Sequence, residues 1–413
     1  MSTPNIVLFH THDTGRWIQP YGAPVRSPRL QEFAERGVLF RNAHSAAPTC
    51  SPSRAAMLTG QWPHRTGMLG LAHLGHTLTQ PDRHLAALLG RHGYTTALVG
   101  MQHETDTEDP DRARTLGYGE DLGARDSHAA SVREPAVEFL RRDHDQPFLL
   151  NVGLVETHLL YENEWTFFHP GADDRWTAPP PGVPSTPETR REMASYQASL
   201  LVVDQLLGDL LDTLDETGLA DNTLVIVTTD HGLPLPGMKC HLTAAGTGVM
   251  LIMAGPGIPA GKPRDALVSQ VDLLPTLCEL IGIDAPEGSD GTSFVPTLVD
   301  GTPVRSETFA EVNEHVEPEP QRMVRTERWS YVRRFTDGQQ RLANTDQSAA
   351  RSVWEAAGGA ERAVPPELLF DLLTDPLELV DVATDPAHRS PLNEMRGRLD
   401  QWLVDTDDPL ARA

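Results

Sequence analysis

Over residues 1–300 the chain alternates short, almost unbroken apolar runs with longer segments of helical periodicity. Asn5–Thr11 (NIVLFHT) is apolar at successive positions, which predicts a strand buried on both faces. Ser27-Pro28 then opens a helix to Arg36, with the serine as cap and the proline in the first turn, and Gly37 stops it. The same pattern predicts strands at Thr95–Val99, Pro147–Leu154, Thr223–Thr229 and Gly248–Met253, and a long helix over Glu188–Thr217. Strands separated by helices predict an α/β fold for residues 1–300, a mixed, mostly parallel sheet sandwiched by helices. From residue 301 the pattern changes. Short strands, among them Glu307–Glu311 and a region over Arg322–Phe335, precede a closing helix from Ser390 to Val404, which predicts a smaller α+β subdomain over 301–413. Residues 178–186 and 338–360 have loop composition, and no segment repeats another.

Charge changes this picture by exclusion. A formal net charge of -24 disfavours nucleic acid and anionic membranes as partners, because both are bound through an excess of Lys and Arg. An anionic substrate would need a local cation in its pocket. The start, MSTPNIVLFH, carries neither a basic region nor a long apolar stretch, and no run approaches the roughly 18 apolar residues of a membrane span, so a cytoplasmic protein is expected. Cys50, Cys240 and Cys278 form neither a disulfide framework nor a paired zinc-ligand spacing.

In open α/β sheets ligands bind beyond the carboxyl ends of the strands, so chemistry is sought just after each predicted strand. His12-Asp13 ends the first, His103 and His158 follow the second and third, and Asp230-His231-Gly232 follows the fourth. Between them stands Cys50-Ser51-Pro52-Ser53-Arg54, continued by Ala55-Ala56-Met57-Leu58-Thr59-Gly60. This stretch resembles the signature of the type I sulfatases. The resemblance implies an alkaline-phosphatase-like fold, a small sulfated substrate, and a formylglycine-generating enzyme as the partner that oxidises Cys50 to an aldehyde. The hydrated aldehyde is a gem-diol: one hydroxyl attacks sulfur, and the other later expels sulfate by re-forming the aldehyde.

By the same resemblance His12, Asp13, Asp230 and His231, with Cys50, hold one divalent metal ion. His12 replaces an aspartate usual in the family. Family habit implies calcium, whereas imidazole ligands suit manganese or zinc. Arg54 would anchor the formylglycine or sulfate oxygen through its planar fork. His103 would orient the diol, although Met101 stands where the family places a lysine. His158 and Lys239 match positions that contact the sulfate or leaving group, and Lys239 is assigned the developing charge there. Thr66–Leu71, Asp272–Thr276 and Glu367–Asp371 follow in family order, and Gly232–Pro236 with Thr406–Pro409 look most like the heparan N-sulfatase branch. That branch implies a sugar substrate, with His73, Asn313 and His315 facing it. Two other readings stay open: a phosphonate or phosphate ester hydrolase of the same superfamily, favoured by Asp-His-Gly, and a binding protein or pseudoenzyme in which Cys50 remains a thiol. A homo-oligomer is also left open.

Overall fold

The apolar run Asn5–Thr11 forms strand β1, buried at every position. The computed structural model describes residues 3–106, 109–161, 165–171, 173–336 and 338–412. In it β1 joins an eight-stranded sheet with β2 (Val38–Phe40), β3 (Thr95–Gly100), β4 (Glu120–Asp121), β5 (Phe148–Gly153), β6 (Thr223–Thr229), β7 (Leu251–Ala254) and β8 (Lys262–Arg264). The order is β8-β2-β7-β6-β1-β5-β3-β4; β7 runs antiparallel to both neighbours and the other pairs are parallel. Helices α1 (Pro28–Arg36), α2 (Cys50–Thr59), α3 (Ala129–Leu140), α4 (Pro187–Glu216) and α5 (Leu273–Ile281) cover the sheet. Strand alternation divides them: Val7 and Phe9 pack with residues of α1, α3 and α4, while Ile6 and Leu8 pack with residues of α2 and α5. This is the expected helix–sheet–helix sandwich, mostly parallel in its sheet.

Two local expectations change. The Ser27 hydroxyl does not cap α1; it accepts from the Gln19 N–H at 3.1 Å. The free N–H groups of Arg29 and Leu30 donate instead to the Asp204 carboxylate of α4, at 3.1 and 2.8 Å, a cap that only tertiary packing supplies. The strand expected from Gly248 begins at Leu251, because Ala244–Thr247 forms a helical turn first.

Beyond the sheet, β9 (Glu307–Glu314), β10 (Pro318–Thr326), β11 (Trp329–Arg334) and β12 (Glu367–Asp371) form an antiparallel sheet in chain order, with α6 (Ala349–Ala356) and α7 (Arg389–Asp405). The region Arg322–Phe335 is thus a hairpin, turned where Trp329 N donates to Thr326 Oγ1 at 2.9 Å. Leu392, Met395, Leu399 and Trp402 of α7 bury one face of this sheet, and the same cluster takes in Ala46, Ala56 and Trp62. Glu311 N also donates to Ala46 O at 2.9 Å, so the second sheet is seated against the start of α2. Among the described residues no helix is long and apolar enough to cross a membrane.

A buried ion-pair cluster fastens that seam. His64 Nδ1 donates to Glu311 Oε2 at 2.6 Å and its Nε2 to the Thr406 carbonyl at 3.2 Å, while Arg322 Nε donates to Asp408 Oδ2 at 2.6 Å. Both ring nitrogens face acceptors, so the imidazole is held as a cation. Burial opposes that charge, but Glu311 and Asp408 outweigh it and raise the His64 pKa above 6.5. A raised folded-state pKa adds stability that is complete below pH 6.5 and is lost as the pH rises through the folded value. Buried neutral histidines such as His44 and His84 act in the opposite sense. The informative quantity is therefore the difference between the wild type and His64→Gln in urea unfolding. That difference is expected to shrink steadily above pH 6.5, and a difference independent of pH would show that His64 is not the titrating group.

Candidate active site

Strands β6, β1, β5 and β3 are neighbours, and their carboxyl ends deliver Asp230-His231, His12-Asp13, His158 and His103 to one edge of the sheet. Cys50 enters from the first residue of α2. His12, Asp13, Cys50, Asp230 and His231 each present a ligand atom, all within 4.8 Å of one another, and all five are buried. His12 Nδ1 lies 2.7 Å from Asp13 Oδ1 and 3.3 Å from Asp230 Oδ2. His231 Nε2 lies 3.2 Å from Asp13 Oδ1 and 3.5 Å from Cys50 Sγ. Asp13 takes a left-handed backbone (φ 57°), unusual for a residue with a Cβ, and its N–H donates to Asp230 Oδ1 at 2.9 Å. Gly232 is needed for space: a Cβ there would meet the Ala245 carbonyl oxygen at 1.9 Å.

Arg54 is fully buried behind this group. Its Nη2 donates to Asp230 Oδ2 and to the Thr11 carbonyl, both at 3.0 Å, and its Nη1 to His10 Nδ1 at 2.5 Å. Its Nε is buried with no hydrogen-bond partner. Burial, then Arg54, hold His10 neutral. Burial lowers the His12 pKa to about 4, so its imidazole is neutral at pH 7 and offers a lone pair. Burial works against ionising Asp13 and Asp230, but Lys239 and the imidazoles around Asp13, and His12, His231 and Arg54 around Asp230, hold both carboxyls below their ordinary range.

The two oxygens of Asp13 divide the site. Oδ1 faces His12 and His231, whereas Oδ2 meets His158 Nδ1 at 2.5 Å and Lys239 Nζ at 3.3 Å. The His158 ring stacks on His12 with centroids 4.4 Å apart. Lys239 Nζ also reaches Asp346 Oδ2 at 2.8 Å. Burial would lower its pKa, yet Asp13 and Asp346 raise it well above the lysine value. His103 is buried, with His73 stacked on it at 5.6 Å and the exposed His73 ring toward solvent. His103 Nδ1 and His315 Nδ1 are both buried without partners, and burial followed by Lys239 takes His315 down to about 3. Asn313 stands apart: its amide donates to Glu311 Oε1 at 3.1 Å and accepts from Arg322 Nη2 at 2.8 Å, within the His64 cluster. Met101 supplies no cation, and its backbone N–H donates to Gly153 O at 2.8 Å.

The donor set suits one divalent cation. Two imidazoles, two carboxylates and the side chain of residue 50 offer ligand atoms within 4.8 Å of one another, a mixed set of N, O and residue-50 donors that could hold one metal ion. Further side chains fix the backbone around the site. Ser53 Oγ donates to the Asp230 carbonyl at 2.6 Å and Gln270 Nε2 to the Thr229 carbonyl at 2.5 Å, bracing the end of β6. His10 could have been noticed as an inward polar residue in an apolar run, but Asp346 gives no signal in the sequence.

Residues 4–283 match the family model described as Sulfatase. The chain belongs to the sulfatase family. As a sulfatase it is an enzyme that hydrolyses sulfate esters. It is 28% identical to human N-sulphoglucosamine sulphohydrolase across 98% of this chain and 91% of that protein. It is 27% identical to a Delta 4,5-hexuronate-2-O-sulfatase of Bacteroides thetaiotaomicron across 98% and 90%, and 26% identical to a choline-sulfatase of Rhizobium meliloti across 95% and 84%. Solved sulfatases share the fold. A structure of a 2-O GAG sulfatase superposes with a TM-score of 0.74 at 23% identity, covering 98% of this chain and 93% of that one. Another, solved with its substrate D-glucosamine-2-N,6-O-disulfate, superposes with a TM-score of 0.77 at 18% identity, covering 99% of each chain.

Proposed function

We propose that this sulfatase removes sulfate from a sugar ester or sulfamate, using a formylglycine made from Cys50 and one divalent ion held by His12, Asp13, Asp230 and His231. The observation that carries this reading is the convergence of Cys50 with those four ligands within 4.8 Å, at the start of a buried helix. Support for a sugar substrate comes from the relatives named for N-sulphoglucosamine and hexuronate-2-O-sulfate, and from the neighbour solved with a disulfated glucosamine.

The hydrated aldehyde would supply the oxygen that attacks sulfur, and an ion held by His12, Asp13, Asp230 and His231 would supply positive charge toward the sulfate. The residues of this chain do the rest. Arg54, fixed by Asp230 and Thr11, supplies a buried guanidinium charge to the oxygen of residue 50 or the sulfate. As the S–O or S–N bond breaks, the departing atom gains negative charge and needs a cation or a proton. Lys239, pinned between Asp13 and Asp346, serves as the fixed cation. His158, with Nδ1 held by Asp13, is the candidate acid for the leaving atom. Neither role needs the lysine that Met101 replaces.

The test pairs two measurements. The tryptic peptide containing residue 50 is expected to lie about 18 Da below the thiol form, or near it when hydrated, and to react with a hydrazide as only an aldehyde does. The same preparation is expected to cleave an aryl sulfate faster than the matching aryl phosphonate. A residue-50 peptide that stays alkylatable as a thiol, or a strong preference for the phosphonate, would overturn the reading.

A further inference from the structure

Asp346 lies outside every motif and beyond residues 4–283 that match the family model, yet its carboxylate closes the pocket around Lys239. We propose that Asp346 is a positioning residue for Lys239, so that the C-terminal unit supplies half of the clamp that aims the leaving-group cation. The proposal rests on the function proposed above for that cation.

Three observations carry it. The first is the clamp itself: Nζ lies 2.8 Å from Asp346 Oδ2 and 3.3 Å from Asp13 Oδ2, and the lysine side chain is 3% exposed. A buried ammonium held by two carboxylates has one favourable place to stand. The second is that the segment bearing Asp346 is fixed from both sides. Before it, buried Asn344 accepts at Oδ1 from Val316 N and Glu317 N and donates from Nδ2 to Glu319 Oε2. After it, the first turn of α6 donates from Ala349 N and Ala350 N to the Glu192 carboxylate of α4, at 2.8 and 3.0 Å. Asp346 is therefore presented by a braced loop rather than by a mobile one. The third is occupancy. Asp13, His158 and Asp346 offer ligand atoms within 4.8 Å, which could hold a second metal ion, but the Lys239 ammonium already stands on both carboxylates. An ammonium and a divalent ion would repel across that distance, so this half of the site is built around the lysine.

The chain has only two lysines, Lys239 and Lys262, which makes the clamp directly observable. In protein carrying 13Cε-labelled lysine, assigned with Lys262→Arg, the Lys239 signal is expected to move toward that of solvated Lys262 in Asp346→Asn. An unmoved signal would overturn the proposal whatever the enzyme does. The kinetic arm uses aryl sulfates of graded leaving-group pKa. Asp346→Asn is expected to lower kcat/KM by about 10- to 100-fold for the poorest leaving groups and by a few-fold for the best, with partial recovery in Asp346→Glu. Combined with Lys239→Ala, it should add less than about twofold. An equal loss across the series, or full additivity with Lys239→Ala, would show that Asp346 acts only on the fold. A wild-type enzyme that cleaves none of these sulfates, with the lysine signal still shifting in Asp346→Asn, would count against the proposed function and not against the clamp.

Discussion

Cys50→Ala is expected to lower sulfate-ester turnover by at least about 10^4-fold, because it removes the atom on which the nucleophile is built while leaving binding groups in place. The thiol itself is a poor candidate for that nucleophile. Burial pushes the Cys50 pKa above its ordinary value, and Asp13, Asp230 and Asp346 push it the same way against Lys239. The variant should stay folded, since the thiol is a small buried group whose polar neighbour is His231 Nε2 at 3.5 Å. Initial rates on an aryl sulfate, with thermal unfolding followed in parallel, check both halves. Turnover retained in a folded Cys50→Ala protein would place the nucleophile elsewhere.

Asp13→Asn is expected to have the second largest effect, because both halves of the site converge on this carboxylate. Its Oδ1 stands between His12 and His231, and its Oδ2 between His158 and Lys239. The amide keeps the shape but loses the charge and offers two donors to groups that need an acceptor. Metal content measured by plasma mass spectrometry on dialysed protein should fall from about one ion per chain to well below that, and kcat/KM by at least about 10^3-fold. Manganese or zinc should restore chelated wild-type enzyme better than calcium does, as the two imidazoles require. A variant that kept its metal and its activity would mean that Asp13 only organises the loop.

Much of this was legible in the chain because it is local. The strand–helix alternation, the long helix expected over Glu188–Thr217 and the signature from Cys50 to Gly60 depend on neighbours in sequence, and β1 and α4 form where the pattern predicts. His12, Asp13, Asp230 and His231 are implied together by the resemblance, and the parallel pairing of β1 and β6 brings the two strand ends to one edge. What could not be read depends on contacts distant in the chain. Asp204 caps α1, and nothing near Ser27 announces it. Asn313 is expected to face a sugar, but the Arg322 and Glu311 side chains take its amide. Asp346 sits in Asn344-Thr345-Asp346-Gln347-Ser348, a polar loop like many others, and becomes a pocket residue only because Glu192 and the β9–β10 turn fix the chain on either side.

A crystal structure of the purified enzyme, with diffraction recorded on both sides of the manganese and zinc absorption edges, tests the central claim most directly. The account predicts one anomalous peak surrounded by His12, Asp13, Asp230 and His231, with an oxygen in place of sulfur on residue 50. Sulfur density on residue 50, or an ion bound away from those four side chains, would contradict it.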